Sequence, residues 1–276
     1  AKAFMVRDGC FDDVDAAVSW HPGGMTQVFG AHSLANTRID FTFTGRTSHA
    51  AASPHLGRSA LDAVELMNVG VNYMREHMPS SARVHYALTD AGGTAPNVVQ
   101  GRATVRYLVR ARDLPQLQAL VRRVQKIAEG AALMTETAVE CRIVSGDANL
   151  VGNTPLEELM HSHLERLGPP PFDEADRAFA AQFQATLSDE DIAASFQRFG
   201  MAPRQGLSLV DAIYPLGAGD GSSVGSTDVG TVSWVVPTVQ MRGATVAIGT
   251  PGHSWQLVAQ GKAPAAHKGM EHAAKT

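Results

Sequence analysis

Cysteine is scarce in this chain. Two residues of 276, Cys10 and Cys141, stand far apart and in no metal-type spacing. That excludes a disulfide framework and a cysteine-rich zinc module, and it favours a reducing compartment. Cys10, just ahead of Phe11-Asp12-Asp13, reads as a small buried apolar residue. Long hydrophobic runs are missing as well: none approaches the roughly 20 residues that a spanning helix needs. No secretory signal is visible. A cytoplasmic protein without a membrane partner is the expectation. Net charge is small, −4, and dispersed, with no basic stripe. The electrostatic footprint of a nucleic-acid binder is therefore lacking. Repeats and low-complexity tracts do not occur. An initiating Met is missing too, and strand-like sequence follows almost at once, so the expectation is an incomplete chain.

What is present suits a globular protein of about two domains. The apolar share, 44%, is enough for a sizeable core. Ala3 to Val6 reads as a short strand, and Ala16 to Trp20 as a second apolar strand delivering His21 at its end. From Thr37 to Thr44 polar and apolar residues alternate, the period of a half-buried strand. Residues 45–57 form a loop with two histidines. Over 58–77, Leu61, Val64, Leu66, Val69, Val71 and Met74 recur at helical spacing. Strands at 82–88 and 103–109, a helix at 114–132 and a strand at 137–144 complete the order β-α-β-β-α-β, the ferredoxin-like split arrangement. Beyond it, 153–206 reads as a helical insertion. Pro155 sits in its first turn, Gly168-Pro169-Pro170-Pro171 breaks it, and Ser188 caps a further helix before three acids. A glycine- and serine-rich run, 219–223, precedes a strand expected over 231–236. A last helix is expected over 265–273.

Two histidines stand out for their setting. His21 lies at the end of an apolar strand, where α/β sheets gather ligands. His253 lies in the loop Gly249-Thr250-Pro251-Gly252-His253-Ser254-Trp255, where Gly252 is expected to permit close backbone approach. Taken alone, each reads as a structural histidine bonded to backbone, since a lone histidine is weak evidence of a site. His32, His77, His85, His161, His163 and His272 show no such setting and read as surface residues.

Seven phrases, in order, carry a resemblance. They are Val6-Arg7-Asp8-Gly9-Cys10-Phe11-Asp12-Asp13-Val14-Asp15, Trp20-His21-Pro22, Gly45-Arg46-Thr47-Ser48-His49-Ala50-Ala51, Ala95-Pro96-Asn97-Val98-Val99, Phe172-Asp173-Glu174-Ala175-Asp176, Gly225-Ser226-Thr227-Asp228-Val229-Gly230 and the loop around His253. With them the whole chain resembles the M20 metallopeptidase/amidohydrolase family, in the branch of the B-type component of aminobenzoyl-glutamate hydrolase. The resemblance implies an α/β fold. Its discontinuous catalytic domain would comprise 1–36 and 153–276, interrupted by a ferredoxin-like lid and dimerisation domain at 37–152.

It also implies two divalent metal ions, Zn or Mn, that polarise an amide carbonyl and activate water. His21 and His253 would be metal ligands. His49 would reach from the other protomer of a homodimer to stabilise the oxyanion. Asn97 and Arg110 would bind substrate, and Asp228 would support the metal site from behind its ligands. The substrate would be a small N-acyl or N-aroyl amino acid, p-aminobenzoyl-glutamate above all, with a second related subunit as a further partner. Blander alternatives stay open for each residue: a helix-capping loop histidine for His49, with His55 structural; a turn former for Asn97; an edge-strand arginine for Arg110; an Asx-turn for Asp228.

The sequence departs from the family pattern. Further ligands and the general-base glutamate lie in upstream segments of family members that this sequence does not contain, and Lys2 falls just after the place of their Glu-Glu pair. Thr231 stands where relatives tend to carry another acid. The expectation is therefore a fragment lacking the first part of the catalytic domain and inactive by itself. Two rival readings are another M20 aminoacylase or dipeptidase, and a non-catalytic dimerisation module.

Overall fold

The computed structural model describes residues 2–29, 33–217 and 225–276; His32 and the run 219–223 lie outside them. In chain order the elements are α1 (Lys2–Arg7), β1 (Ala17–Gly23), β2 (Gln27–Phe29), β3 (Ala35–Thr44), α2 (Ala60–Met74), β4 (Arg83–Asp90), β5 (Arg102–Ala111), α3 (Leu114–Thr135), β6 (Ala138–Asp147), α4 (Thr154–Leu167), α5 (Glu174–Gln184), α6 (Asp189–Arg198), α7 (Val229–Ser233), β7 (Thr238–Ala244), α8 (Trp255–Gln260) and α9 (Pro264–Lys275). They divide into two compact units. One gathers the described residues of 1–4, 33–150 and 224–231, the other those of 5–32, 151–223 and 232–276.

The first unit is the split β-α-β-β-α-β arrangement. Its sheet runs β4-β5-β3-β6, all antiparallel, so β5 and β3 are interior and β4 and β6 are edges. Period-two alternation decides which face is covered. Ile39, Phe41 and Phe43 of β3 and Val105, Tyr107 and Val109 of β5 are fully buried beneath α2 and α3. Phe41 meets Tyr107 edge-on, with ring centroids 5.8 Å apart. Both helices have side-chain caps: Ser59 accepts from the Asp62 amide and Asp113 from the Gln116 amide. The opposite sheet face carries polar residues. There the buried Asp40 takes two hydrogen bonds from Arg106, at 2.6 and 2.8 Å, and one from Arg142 at 3.2 Å. The Arg106 bonds hold its carboxyl below the ordinary value, against the opposing pull of burial.

The second unit centres on β7, parallel to β1 on one side and antiparallel to β2 on the other. Val28, Val239 and Met241 face Met160 and Leu164 of α4. Helix α9 lies so close to β7 that a Cβ on Gly269 would stand 2.0 Å from the Ala244 carbonyl oxygen; only glycine fits. Helices α5 and α6 both open with capping boxes, Asp173 with Asp176 and Ser188 with Asp191.

Several local expectations are corrected. Ala3 to Val6 belongs to a helix, α1. The region expected as a strand at 231–236 instead holds the end of α7; a β-branched run is a weak signal when neighbouring backbone decides. Cys10 is exposed rather than buried, as is Cys141. His272, expected at the surface, is 4% exposed, and its Nε2 lies 2.6 Å from the Gly168 carbonyl, tying α9 to the end of α4. His161 and His163 are half-buried. A Cβ on Gly252 would meet nothing within 4 Å, so no close approach requires glycine there. The short strand β2 and helix α8 are additions that the side-chain pattern does not announce.

Candidate active site

Strand β1 places His21 in register with Arg242 of β7. Because the two strands run parallel, their carboxyl ends point the same way, and the loop that leaves β7 carries His253. Both imidazoles belong to exposed residues. The Nδ1 of His21 lies 2.7 Å from the Pro22 carbonyl oxygen. A carbonyl only accepts, so in the neutral ring Nδ1 carries the proton and Nε2 keeps its lone pair. That is the tautomer a metal ligand needs. His253 has φ of +61°, in the left-handed region that a non-glycine residue seldom occupies. The turn around it is fixed by Ser254, whose hydroxyl donates to the Pro251 carbonyl at 2.8 Å and accepts from the Leu257 amide at the start of α8.

His49 shows the opposite tautomer. Its Nδ1 accepts from the amides of Ala51 and Ala52 at 3.2 and 3.1 Å. The proton of the neutral ring is therefore on Nε2, which is left to donate. The same segment pairs with the loop after β4: His49 bridges Val98, the Ala50 amide donates to the Asn97 carbonyl at 2.9 Å, and the Val99 amide donates to the Ser48 carbonyl at 3.0 Å. Residues far apart in sequence, His49 and Asn97, are thus brought together, both exposed.

Arg110 lies on β5, an interior strand, which corrects its reading as an edge-strand arginine. It helps line an open cleft of about 320 Å³ with Asn36, Arg38, Asp147, Ser226 and Asp228. Its guanidinium lies 3.5 Å from the Ser226 hydroxyl. Burial, and then the like charge of Arg38, weaken its hold on its proton. Asp228 is engaged by Lys2 at 2.7 Å. The Thr231 hydroxyl accepts the Ala148 amide at 3.2 Å, so threonine here serves the backbone. Beside it, a Cβ on Gly230 would come 2.2 Å from the Ala148 oxygen.

Sequence reasoning missed Arg38 and Arg242. Arg242 is half-buried and stacks over the Phe29 ring at 4.5 Å, and burial pushes its pKa down to about 10. Its Nε finds no hydrogen-bond partner among the described residues. An arginine in an apolar strand gives no sequence signal beyond its oddity. Among the described residues no three or more His, Cys, Asp or Glu side chains gather as a metal site. The described residues thus supply one imidazole, that of His21, in the tautomer a ligand needs, but do not by themselves assemble a metal centre.

Comparison with known proteins adds independent findings. Residues 35–135 match the peptidase dimerisation domain of the M20 group. The chain is 47% identical over 286 residues to the B-type component of p-aminobenzoyl-glutamate hydrolase from Escherichia coli K12, covering 100% of this chain and 59% of that protein. It is 30% identical over 145 residues to the A-type component of the same hydrolase, covering 51% of this chain and 33% of that one. Among solved structures, an aminobenzoyl-glutamate utilization protein from Klebsiella pneumoniae superposes with a TM-score of 0.55 at 21% identity, over 86% of this chain and 52% of that one. The chain thus spans little more than half the length of its fuller relatives.

Proposed function

The chain belongs to the M20 peptidase family, and from that premise we propose that it serves a metal-dependent amidohydrolase cleaving N-aroyl or N-acyl amino acids, with p-aminobenzoyl-glutamate as the substrate. The observation that carries the reading is the likeness along the whole chain to the B-type component from Escherichia coli. M20 enzymes are generally metal-dependent; a bound pair of divalent ions, Zn or Mn, would polarise the scissile carbonyl and supply activated water. His21 and His253 are proposed as ligands of that site. The Nδ1–H of His21 bonded to Pro22 supports this, because it leaves Nε2 as the donor atom. The remaining ligands lie outside the groups that the described residues bring together.

The other roles follow from the chemistry of each group. His49, with Nδ1 saturated by two amides, offers Nε2–H to a carbonyl oxygen that gains charge as the amide is attacked. Asn97, whose backbone carbonyl accepts from the Ala50 amide next to His49, is proposed to orient the same group. Arg110 suits a carboxylate by its planar fork. Asp228, paired with Lys2, is proposed to support the metal site indirectly. Residues 37–152 are proposed as the lid, through which two copies associate so that His49 acts across the dimer. Leu66, Val69 and Tyr73 form an exposed stripe on α2, and Tyr86 and Leu88 are exposed on the edge strand β4. A second, related component is a further proposed partner, because the chain is also similar to the A-type component.

The test is hydrolysis of p-aminobenzoyl-glutamate by the complete gene product loaded with Zn²⁺ or Mn²⁺. Release of p-aminobenzoate that a chelator abolishes is the expected result. Turnover only of dipeptides would move the assignment to another branch of the family, and none of either substrate would remove it.

A further inference from the structure

A half-buried arginine calls for an anion, and Arg242 has none among the described residues. It stands on β7, the middle strand of the second unit's sheet, in register with His21 of β1 and Gln27 of β2. Residues in register project from the same face, so the guanidinium and the His21 imidazole share one side of the sheet. The guanidinium lies over the Phe29 ring, and a Cβ built on Gly23 would come within 3.9 Å of Nη1, so the group also reaches back over β1. Its side chain makes no hydrogen bond or ion pair among the described residues, and its Nε is buried without a partner. Burial, and then the like charge of the exposed Arg198 at the end of α6, oppose its charged state. A cation held in this way costs stability that an apolar side chain of similar size would not cost. Stacking on Phe29 covers the flat face of the guanidinium and leaves its rim, where the N–H donors lie in one plane, to a planar acceptor such as a carboxylate.

We propose that Arg242 binds a carboxylate of the ligand beside His21. This deepens the amidohydrolase reading and rests on it for the ligand's identity. Two carboxylates share the required chemistry. One belongs to the amino-acid half of an N-acyl amino acid. The other forms on the acyl half, when water's oxygen adds to the amide carbon, the C–N bond breaks and the water's protons pass to the leaving amine. Neighbouring strands lie about 4.8 Å apart, less than the length of an arginine side chain, so a group held at His21 comes within reach of Arg242.

Calorimetric titration of the complete gene product, metal-free in chelator, reads this binding apart from any metal. The probes are p-aminobenzoate against p-aminobenzamide, and glutamate against its diamide. The unaltered protein should bind at least one acid more tightly than its amide. Arg242→Met should weaken that acid about tenfold to a hundredfold, the worth of a charged hydrogen bond, and leave the amide unchanged. Arg242→Lys should retain part of the difference. Loss for p-aminobenzoate assigns the carboxylate formed on the acyl half, loss for glutamate that of the amino-acid half, and loss for both gives each a turn at the same arginine. The thermal midpoint without ligand separates this role from a structural one. Methionine keeps an apolar contact with Phe29 and removes an unpaired charge, so the Arg242→Met midpoint should stay or rise. A fall would mean that the arginine pairs within the polypeptide. That fall, no preference for either acid, equal loss for acid and amide, or no loss at all would each overturn the proposal. Hydrolysis of p-aminobenzoyl-glutamate is read separately. No turnover alongside Arg242-dependent binding of an acid would remove the amidohydrolase reading alone. Turnover with acid binding indifferent to Arg242 would remove this inference alone.

Discussion

His49 and Val98 form a bridge that joins the loop after β3 to the loop after β4. Through it the imidazole that keeps Nε2–H and the backbone of Asn97 are held one residue apart across a backbone pair. The two imidazoles thus stand in opposite tautomers, a lone pair on Nε2 of His21 and a proton on Nε2 of His49, as the roles proposed for them require.

If His49 stabilises the oxyanion, His49→Ala in the metal-loaded gene product should lower kcat by about 10²–10³-fold, with a smaller change in KM. Action across the dimer gives a sharper check. Alone, neither His49→Ala nor His21→Ala protomers should exceed about a hundredth of the unaltered activity. Mixed in equal amounts, half the dimers are hybrid and each has one intact site of two, so about a quarter of the activity should return. No recovery in a mixture shown to exchange protomers would place His49 in its own protomer's site.

The dimer itself is testable on α2. Leu66, Val69 and Tyr73 lie at i, i+3 and i+7 and are 38%, 49% and 72% exposed, an apolar stripe that a free helix surface rarely shows. Tyr73→Glu should shift the sedimentation mass toward one chain at concentrations where the unaltered protein is paired. A matching change at Leu133 of α3, 82% exposed at the other side of the helix layer, should leave the mass unchanged.

Asp40 gives a prediction in pH. Its folded carboxyl is held below the ordinary 3.8 by Arg106 and Arg142. A depressed value means the stabilisation is fully present above that ordinary value and is lost as pH falls through the folded one. The first unit should therefore lose stability on the acid side of about pH 4 more steeply than an Asp40→Asn variant. At neutral pH that variant should be less stable by on the order of 1–3 kcal/mol, since two arginines lose a buried anionic partner. Urea unfolding followed at several pH values would read both effects.

Where the sequence was legible, side-chain period decided structure. The alternation of Ile39, Phe41 and Phe43 and the helical spacing of Val64, Met67 and Val71 both survive as buried faces. Where it was not, neighbouring backbone decided. Thr231 and Val232 look like strand residues, yet they fall in α7, where Gly230 packs against the Ala148 carbonyl. The cleft was hidden for another reason. Arg38, Arg110 and Asp147 come from three separated strands, and only the pairing register reveals that they share a face. His21 and His253 were visible by their setting, but the bond that orients His21 was not.

The phrase Phe172-Asp173-Glu174-Ala175-Asp176, one of those that carry the family resemblance, has a physical role as a clamp between α5 and α9. Asp173 and Asp176 cap α5 reciprocally, and Lys268 of α9 bonds both, at 2.6 Å to Asp173 and 2.5 Å to Asp176. The Asp176 side chain is 3% exposed, so it meets that ammonium out of contact with solvent. Phe172 is buried with Leu209, Ala244 and Ala265, fixing the entry to α5 on the same core that α9 covers. Asp176→Ala removes half of the capping box and leaves Lys268 with Asp173 alone, and it should cost about 1–2 kcal/mol. Lys268→Met, which leaves Asp176 buried without its cation, should lower the thermal midpoint of the second unit and leave that of the first unchanged. Hydrogen exchange resolved by residue distinguishes the two units. Faster exchange confined to α5 and α9 supports the clamp, and uniform loss across both units would show that the phrase holds no local joint.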